Sequence, residues 1–281
     1  MKLRVWATAL IVASGALPFA SVQASVLLYT QSFDNPVGFV SNGKDLDASS
    51  VNSLYGNQPA GFVFSQQFSV ETLRVGGGQA FGVGYQDPQA RAGRYVLGML
   101  SNVQPDLIGL AFDVGSYDFL NFQFDLSSVD LDCCGAGAAG FVTPGAIPSA
   151  RISLYDNPTG AAGLGSGPAL DSVDVTGVAA QNKYTFNWTN HIVGLNAANS
   201  TNGRVIMRID LLTGGYAALD NFAIAASNNS GEPPPTGVPE PGSVTLVILA
   251  LAAATAVMRR QSRASLRPDK YAPPRFAHGA A

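Results

Sequence analysis

Candidate catalytic side chains are scarce between residues 25 and 237, which make up most of the chain. This stretch contains one histidine, His191, so a Ser-His-Asp or Cys-His arrangement would have a single available base. Residues 163–167 read Gly-Leu-Gly-Ser-Gly, a spacing that does not match the Gly-x-Ser-x-Gly turn of serine hydrolases. Aspartates are numerous, but no two stand out as the acid–base pair that a glycosidase needs. We therefore predict no catalysis, with a glycosidase or lyase as the less favoured alternative.

Two Asp-Asn pairs are the best candidates for binding a cation. Asp34-Asn35 follows an apolar stretch, and Asp220-Asn221 lies within another near the end of this region. Carboxylate and carbonyl oxygens are the ligands that Ca²⁺ prefers. The alternative is that both pairs serve turns or strand ends, as Asp and Asn commonly do. The Asp45-Leu-Asp47 pair does not continue into an EF-hand loop, and we expect it in a solvated loop.

Cys133 and Cys134 are the two cysteines of the chain, and they are adjacent. Without a spaced set of cysteines and histidines, no zinc site is expected. A disulfide between neighbours is strained, because the preferred Cα separation of about 5.5 Å cannot be reached across one peptide bond. Free thiols, a strained vicinal bridge and a bridge to another molecule are all open alternatives.

The elements that must position these residues are predicted to be strands. Residues 117–126 show the clearest period of two, with apolar side chains on one face and Asn121, Gln123 and Asp125 on the other. Further strands are predicted at 26–33, 61–70, 107–114, 184–188, 205–211 and 216–225. Clusters of Gly and Pro separate them, and neither a helical period nor an internal repeat is visible. The sequence predicts an all-β fold, an antiparallel β-sandwich or jelly roll over residues 25–227.

The two Asp-Asn pairs, one at the end of the first predicted strand and one inside the last, resemble those of galactose-binding-like carbohydrate-binding jelly rolls. In such proteins these strands lie side by side and often share a structural Ca²⁺. The resemblance implies that Asp34 and Asp220 help to hold a Ca²⁺ that ties the chain ends together, and that a polysaccharide is a candidate ligand. A groove lined by Trp188 or tyrosines would favour sugar binding, facing carboxylates would favour hydrolysis, and neither would favour a structural role.

The charge of residues 25–237 narrows the choice of partners. Eight basic and seventeen acidic side chains give this region a net charge of −9. Such a surface repels nucleic acid and anionic lipid and attracts cations. We therefore predict that the protein does not bind nucleic acid.

The N-terminus has the pattern of a secretory signal peptide. Lys2 and Arg4 precede an apolar stretch at residues 5–20, and the small residues before Ala24 suit cleavage between Ala24 and Ser25. The sequence therefore predicts that residues 1–24 are a signal peptide and that the following domain is exported.

The C-terminal region predicts a membrane segment. Residues 228–237 are rich in Pro, Asn and Ser, as in a linker. Residues 242–258 carry no charge and are mostly Leu, Val, Ile and Ala, and at 1.5 Å per residue a helix would span about 25 Å. Arg259 and Arg260 follow, which marks that side as cytoplasmic and residues 264–281 as a cytoplasmic tail.

The order of these features resembles the PEP-CTERM protein-sorting signal of Gram-negative bacteria. The resemblance covers residues 238–263 and includes the sorting motif Val238, Pro239, Glu240, Pro241 and Gly242 together with Arg259 and Arg260. It implies that an exosortase, a membrane-embedded transpeptidase, cuts near Pro-Glu-Pro and passes the protein to the cell surface or extracellular matrix. One departure is the length of the chain after the arginines, since the family's members end a few residues after theirs.

Together these features predict an exported protein with a non-catalytic structural or adhesive role at the cell surface or in a biofilm matrix. Before sorting, the helix would anchor it in the inner membrane with the β domain in the periplasm. The expected partners are an exosortase, the membrane and, as the alternative function, an extracellular polysaccharide. A structural Ca²⁺ is the one cofactor considered.

Overall fold

The computed structural model describes residues 25–100, 106–129, 147–180, 182–213 and 216–235. The residues predicted to form the signal peptide, the sorting motif, the membrane helix and the cytoplasmic tail lie outside these ranges, as do the adjacent cysteines. Within the described ranges, no helix combines the length and the apolar character that a bilayer-spanning segment needs.

Twelve strands and one short helix make up the regular structure of the described ranges. The strands are β1 Val26–Gln31, β2 Leu46–Asp47, β3 Phe64–Gln67, β4 Val70–Arg74, β5 Tyr95–Met99, β6 Leu107–Asp113, β7 Phe119–Ser128, β8 Ser149–Asp156, β9 Asp171–Thr176, β10 Asn187–Asn196, β11 Arg204–Thr213 and β12 Ala217–Ser227. Helix α1 is Val51–Tyr55, and a single 3₁₀ turn covers Ala80–Gly82. The all-β prediction is confirmed for this part of the chain.

The strands form two antiparallel sheets. In the first sheet, the order is β10-β7-β12-β5-β4-β2, and β1 also pairs with β12. In the second sheet, the order is β3-β6-β11-β8-β9. The first and last strands of the domain are therefore direct neighbours, with Gln31 opposite Phe222 and Val26 opposite Ala226.

The main core lies between the two sheets and follows from the period of two in the long strands. Leu120, Phe122, Phe124 and Leu126 of β7 are all at most 1% exposed, and alternate residues of β11 face them. Phe222 of β12 packs edge-on against Phe122, with ring centroids 4.9 Å apart. Apolar burial on this scale, at about 25 cal/mol per Å², is the dominant stabilising term.

A second apolar cluster covers part of the outer face of the first sheet. It contains Leu73, Tyr85, Val96, Phe186 and Trp188, all at most 4% exposed. The chain at residues 75–86 and 184–186 supplies this cover, and the two segments are joined at Gln86 and Thr185. Both faces of this sheet are therefore buried over much of their area, which explains why Asn121, Asp125 and Ser127 are also at most 2% exposed.

Residues 228–235, which the sequence predicts as a linker, begin as a strap bound to the outer face of the first sheet. The Asn121 side chain donates to the Asn229 carbonyl at 3.0 Å and accepts from the Gly231 N–H at 2.7 Å. A Cβ on Gly194 would overlap the Gly231 nitrogen, so glycine is needed for this close approach. The chain therefore leaves β12 across β7 and β10 in a fixed position.

Candidate functional site

The predicted Asp220-Asn221 pair occupies a bulge in β12. The pairing of β12 with β7 shifts register between Asp220 and Ala223, and Asn221 has a φ of 53°, in the left-handed region that Asn tolerates. Asp220 is 1% exposed, and its Oδ1 accepts the Asn221 N–H at 2.7 Å. Its Oδ2 is buried and has no hydrogen-bond partner among the described residues. The bulge therefore buries a carboxylate that is only half satisfied.

A second carboxylate, Asp125 of β7, lies beside the bulge and is fully engaged. Its Oδ1 accepts from Arg91 Nη2 at 2.7 Å and from Asn190 Nδ2 at 2.9 Å. Its Oδ2 accepts from Asn221 Nδ2 at 2.9 Å. Asn221 also donates to the Arg91 carbonyl at 3.2 Å, so the bulge, β7, β10 and the segment around Arg91 form one network.

Asp34 follows the end of β1 and is the third carboxylate of this site. Phe33 has a φ of 55° and turns the chain, and its carbonyl accepts from the buried Tyr55 hydroxyl at 2.8 Å. The Asp34 Oδ1 accepts the Arg94 N–H at 2.5 Å, and a Cβ on Gly93 would overlap the Asp34 carboxylate. Asp34 therefore fixes the segment that carries Arg91 against the chain's first strand.

Burial and like charge act together on Asp220. Its pKa is raised to about 8. Burial is the largest cause, and the nearby Asp34, Asp125 and Asp87 carboxylates act in the same direction. The hydrogen bond from the Asn221 N–H acts in the opposite direction but is outweighed. Asp220 is therefore neutral near pH 7 unless a cation compensates its charge.

The buried, unpartnered Oδ2 of Asp220 is the observation that suits a cation at this place. Asp34 and Asp220 belong to one electrostatic cluster, as the effect of Asp34 on the Asp220 pKa shows. Among the described residues, however, no three Asp, Glu, His or Cys side chains are arranged to hold a metal. A Ca²⁺ here would need backbone carbonyl oxygens or water to complete its shell of six to eight ligands.

Other residues singled out in the sequence have structural roles. Trp188 is 4% exposed and packs against Phe186, with ring centroids 4.9 Å apart. His191 is half-buried, with its Nε2 3.0 Å from Thr189 Oγ1, and burial lowers its pKa although Asp125 raises it. The prediction that Asp45 and Asp47 are solvated is wrong, since they are 0% and 2% exposed. Asp45 Oδ2 accepts the N–H groups of Gln79 and Ala80, so it holds a turn.

An open groove of about 730 Å³ runs along β1. Its wall is formed by residues 27–32 on one side and by Gln58 and Pro59 on the other, with Asn221 and Phe222 between them. No Asp, Glu, Lys or Arg lines it, and its polar side chains are Thr30, Gln31, Ser32, Gln58 and Asn221. The sequence did not predict this groove, because the part of the chain that forms its second wall has no motif.

Comparisons with known proteins show limited similarity. No family model and no curated protein matches the chain. Among solved structures, the CBM22-1 xylan-binding domain from Paenibacillus barcinonensis Xyn10C is 12% identical, covers 73% of this chain and 97% of its own, and has a TM-score of 0.37. The Stig cyclase Fisc from Fischerella sp. TAU is 12% identical, covers 74% and 100%, and has a TM-score of 0.42.

A third solved structure is TmCBM61 in complex with beta-1,4-galactotriose. It is 11% identical, covers 58% of this chain and 87% of its own, and has a TM-score of 0.32. These three proteins are two binding modules and a cyclase. At such identities and TM-scores, the similarities carry no argument about the function of this chain.

The raised pKa of Asp220 predicts a pH-dependent stability in protein stripped of cations. Because the folded-state pKa of about 8 lies above the unfolded value near 3.8, the folded state binds the extra proton between these pH values. The free energy of unfolding should therefore fall as pH rises from about 4 to 8. Asp220→Asn, which is neutral at every pH, should remove this slope, as measured by urea unfolding at pH 5, 6.5 and 8 with chelator present.

A matched control is Asp174→Asn, which changes an exposed carboxylate paired with Arg151 at 2.7 Å. The hydrogen bond from Arg151 lowers the pKa of Asp174 and outweighs the opposite effect of burial, so this variant should keep the slope of the wild type. An identical slope in wild type and Asp220→Asn would contradict the assignment.

Proposed function

We propose that this chain is an exported, non-catalytic adhesive module whose β-sandwich binds a neutral polysaccharide along β1. The single observation that carries the proposal is the open groove beside this strand, with its uncharged lining of polar and apolar side chains. An open groove that follows the length of a strand suits a chain-like ligand better than a compact one.

The chemistry of the lining fits hydroxyl groups. The Gln31 Oε1 accepts the Phe33 N–H at 2.8 Å, and Gln58 Nε2 lies 3.3 Å from the Asn35 carbonyl, so both amides are oriented by the protein. This leaves Gln58 Oε1 without a partner among the described residues and free to accept from a ligand hydroxyl. Thr30 is exposed and adds a hydroxyl that both donates and accepts.

Charge argues for a neutral glycan. A net charge of −9 over residues 25–237 repels uronates, sulfated glycans and other anions. Hydrolysis of a glycan requires two carboxyl groups across the scissile bond. The groove has none, and the buried Asp125 is already bonded to Arg91, Asn190 and Asn221.

A purely structural role without a ligand is the second candidate. The observation that favours it is the burial of aromatic side chains, since Trp188, Tyr29, Tyr85 and Tyr216 are at most 6% exposed. Tyr29 contributes to the groove wall, but its ring stacks on Phe62 at 4.1 Å instead of facing solvent. A sugar in this groove would therefore be held mainly by hydrogen bonds.

Binding to immobilised neutral polysaccharides tests the choice between the two candidates. Full-length protein should bind xylan or a β-1,4-galactan and should not bind alginate, which is anionic. Gln58→Ala and Thr30→Ala should each weaken binding about fivefold, since one hydrogen bond contributes about 1 kcal/mol. Thr176→Ala, on exposed β9 of the other sheet, should leave binding unchanged. Absence of binding to a panel of neutral glycans would favour the structural role.

We also propose that Asp34 and Asp220 help to hold a structural Ca²⁺ at the meeting point of the first and last strands. A bound Ca²⁺ would compensate the buried Asp220 carboxylate and the three acids around it. The buried, unpartnered Asp220 Oδ2 supports this proposal, and it concerns stability rather than the polysaccharide.

Melting with and without chelator tests the Ca²⁺ proposal. At pH 8, Ca²⁺ at a hundredfold excess over its Kd should stabilise the wild type by about 2.7 kcal/mol, which chelator removes. Asp220→Asn should melt at the same temperature in both buffers, whereas Asp174→Asn should keep the response. Equal melting of the wild type in both buffers would end the proposal.

Display at the surface is the third part of the proposed function. We propose that residues 1–24 direct export and that an exosortase cuts near Val238-Pro-Glu-Pro, as the resemblance of residues 238–263 implies. Mass spectrometry of the surface-located protein should find a C-terminus near Pro239. Recovery of the intact chain through Ala281 from a strain that contains an exosortase would refute the cleavage.

A further inference from the structure

The edges of the two sheets differ in how they are protected against pairing with another chain. Edge strand β9 carries Asp171 and Asp174, and Asp174 is paired with Arg151 at 2.7 Å. Strands β2 and β3 have only two and four residues, and β1 contains a register shift between Leu27 and Tyr29. Charges, short length and bulges are the usual means of protecting an edge. Edge strand β10 has ten residues, none of which is Asp, Glu, Lys or Arg.

Hydrogen bonds from elsewhere in the chain cap both ends of β10 but not its middle. The Trp188 N–H donates to Gln89 Oε1 at 2.5 Å, and the Asn196 N–H donates to Asp171 Oδ2 at 2.8 Å. Both groups therefore point away from β7, and by the alternation of an antiparallel ladder so do those of Asn190 and Ile192. Their N–H groups have no partner among the described residues. The Gly194 carbonyl on the same edge accepts a long hydrogen bond from Ser230 Oγ of the strap at 3.5 Å, and its second lone pair is available to a further donor. The open part of this edge is therefore centred on Asn190 and Ile192, and we call residues 190–194 the β10 window.

We propose that the β10 window pairs antiparallel with the same window of a second copy, across a two-fold axis at Ile192. In this register, Ile192 faces Ile192 of the other copy and exchanges two backbone hydrogen bonds with it. Asn190 of each copy faces Gly194 of the other. The pairing would cover Ile192, whose side chain is 38% exposed on an otherwise polar edge.

The distribution of charge indicates that two copies can approach each other most easily at the β10 window. Two domains of net charge −9 repel one another over most of their surfaces. The β10 window is uncharged, so this repulsion is weakest where the two edges meet. The donor and acceptor groups of a strand edge are also self-complementary in the antiparallel sense, as a two-fold interface requires.

The position of the C-terminal strap gives an independent argument. A two-fold axis between antiparallel edge strands is perpendicular to the sheet, so the outer faces of both first sheets point the same way. The strap crosses this outer face at Asn121 and Gly194, and 46 further residues follow Pro235. Both chains of the pair would therefore leave on one side, as two copies tethered to one surface must. This last argument rests on the proposed surface display, whereas the open edge does not.

Sedimentation of the full chain in detergent tests the pairing. Wild type should show a concentration-dependent dimer, and Ile192→Lys should weaken it about tenfold or more, because a lysine on each edge places two like charges opposite each other. Ser172→Lys, on the already charged edge strand β9, should leave the dimer unchanged.

Both variants should melt within a few degrees of wild type and still bind polysaccharide, which separates this test from that of the groove. A monomer at all concentrations, or a dimer insensitive to Ile192→Lys, would overturn the proposal.

Oxidative cross-linking tests the register in a background with Cys133→Ser and Cys134→Ser. Ile192→Cys should form a disulfide-linked dimer, since facing residues in this position have Cα atoms about 5.5 Å apart, within disulfide range. His191→Cys should not, because it faces Val193 of the other copy and its own counterpart lies diagonally, about 7–8 Å away. Equal cross-linking of the two variants, or none with Ile192→Cys, would overturn the proposed axis.

Discussion

The position of β12 imposes the constraint on which the rest of the first sheet depends. On one side β12 pairs with β7 along most of its length, and on the other it must pair with two different strands. Residues 217–219 pair with β5, and residues 222–226 pair with β1. The bulge at Asp220 and Asn221 lies where one partner ends and the next begins. A bulge allows this change because it leaves residues unpaired and bends the strand.

The bulge accounts for the chemistry of the candidate site. Unpaired backbone in a buried sheet needs polar partners, and Asp220 Oδ1 provides one by accepting the Asn221 N–H. The Asn221 side chain donates to Asp125 and to the Arg91 carbonyl. Asp125 in turn binds Arg91, which holds the segment that Asp34 fixes at Arg94. The acid of the bulge, Asp220, is left with one oxygen unpaired and with three acids nearby. Protonation of Asp220, whose pKa is raised to about 8, therefore neutralises the buried acid near pH 7.

The sequence predicts the inward side of this structure well and the outward side poorly. The period of two in β7 identifies Leu120, Phe122, Phe124 and Leu126 as core, and all four are buried. It also places Asn121 and Asp125 on the opposite face, but it does not show that both are buried there because the strap and the Arg91 segment cover them. Such cover depends on contacts between residues more than 30 positions apart, which a local pattern does not contain.

The same limit applies at Trp188 and at the Asp45 and Asp47 pair. Trp188 continues the alternation of the preceding residues, but nothing local shows that the chain around Tyr85 will fold over it. Asp45 and Asp47 have the composition of a solvated loop, yet their carboxylates accept backbone N–H groups of Gln79, Ala80, Val40 and Ser49. A buried carboxylate that organises a turn has the same residue types as an exposed one. Only the fold distinguishes them.

The groove and the β10 window lie at different edges of the first sheet, and their separation bears on how an adhesive module would work. Strands β7 and β12 lie between β10 and β1, so the groove is about 14 Å from the window at ~4.8 Å per strand. In a pair joined at β10, both grooves would stay open and lie about 34 Å apart across seven strand spacings.

The two-fold axis makes the grooves run in opposite directions. A polysaccharide has a direction, so such a pair would bind two chains, or two segments of a folded-back chain, and would cross-link them. Weak, hydrogen-bonded sites of this kind gain their strength from multivalency, which surface display and pairing would both increase.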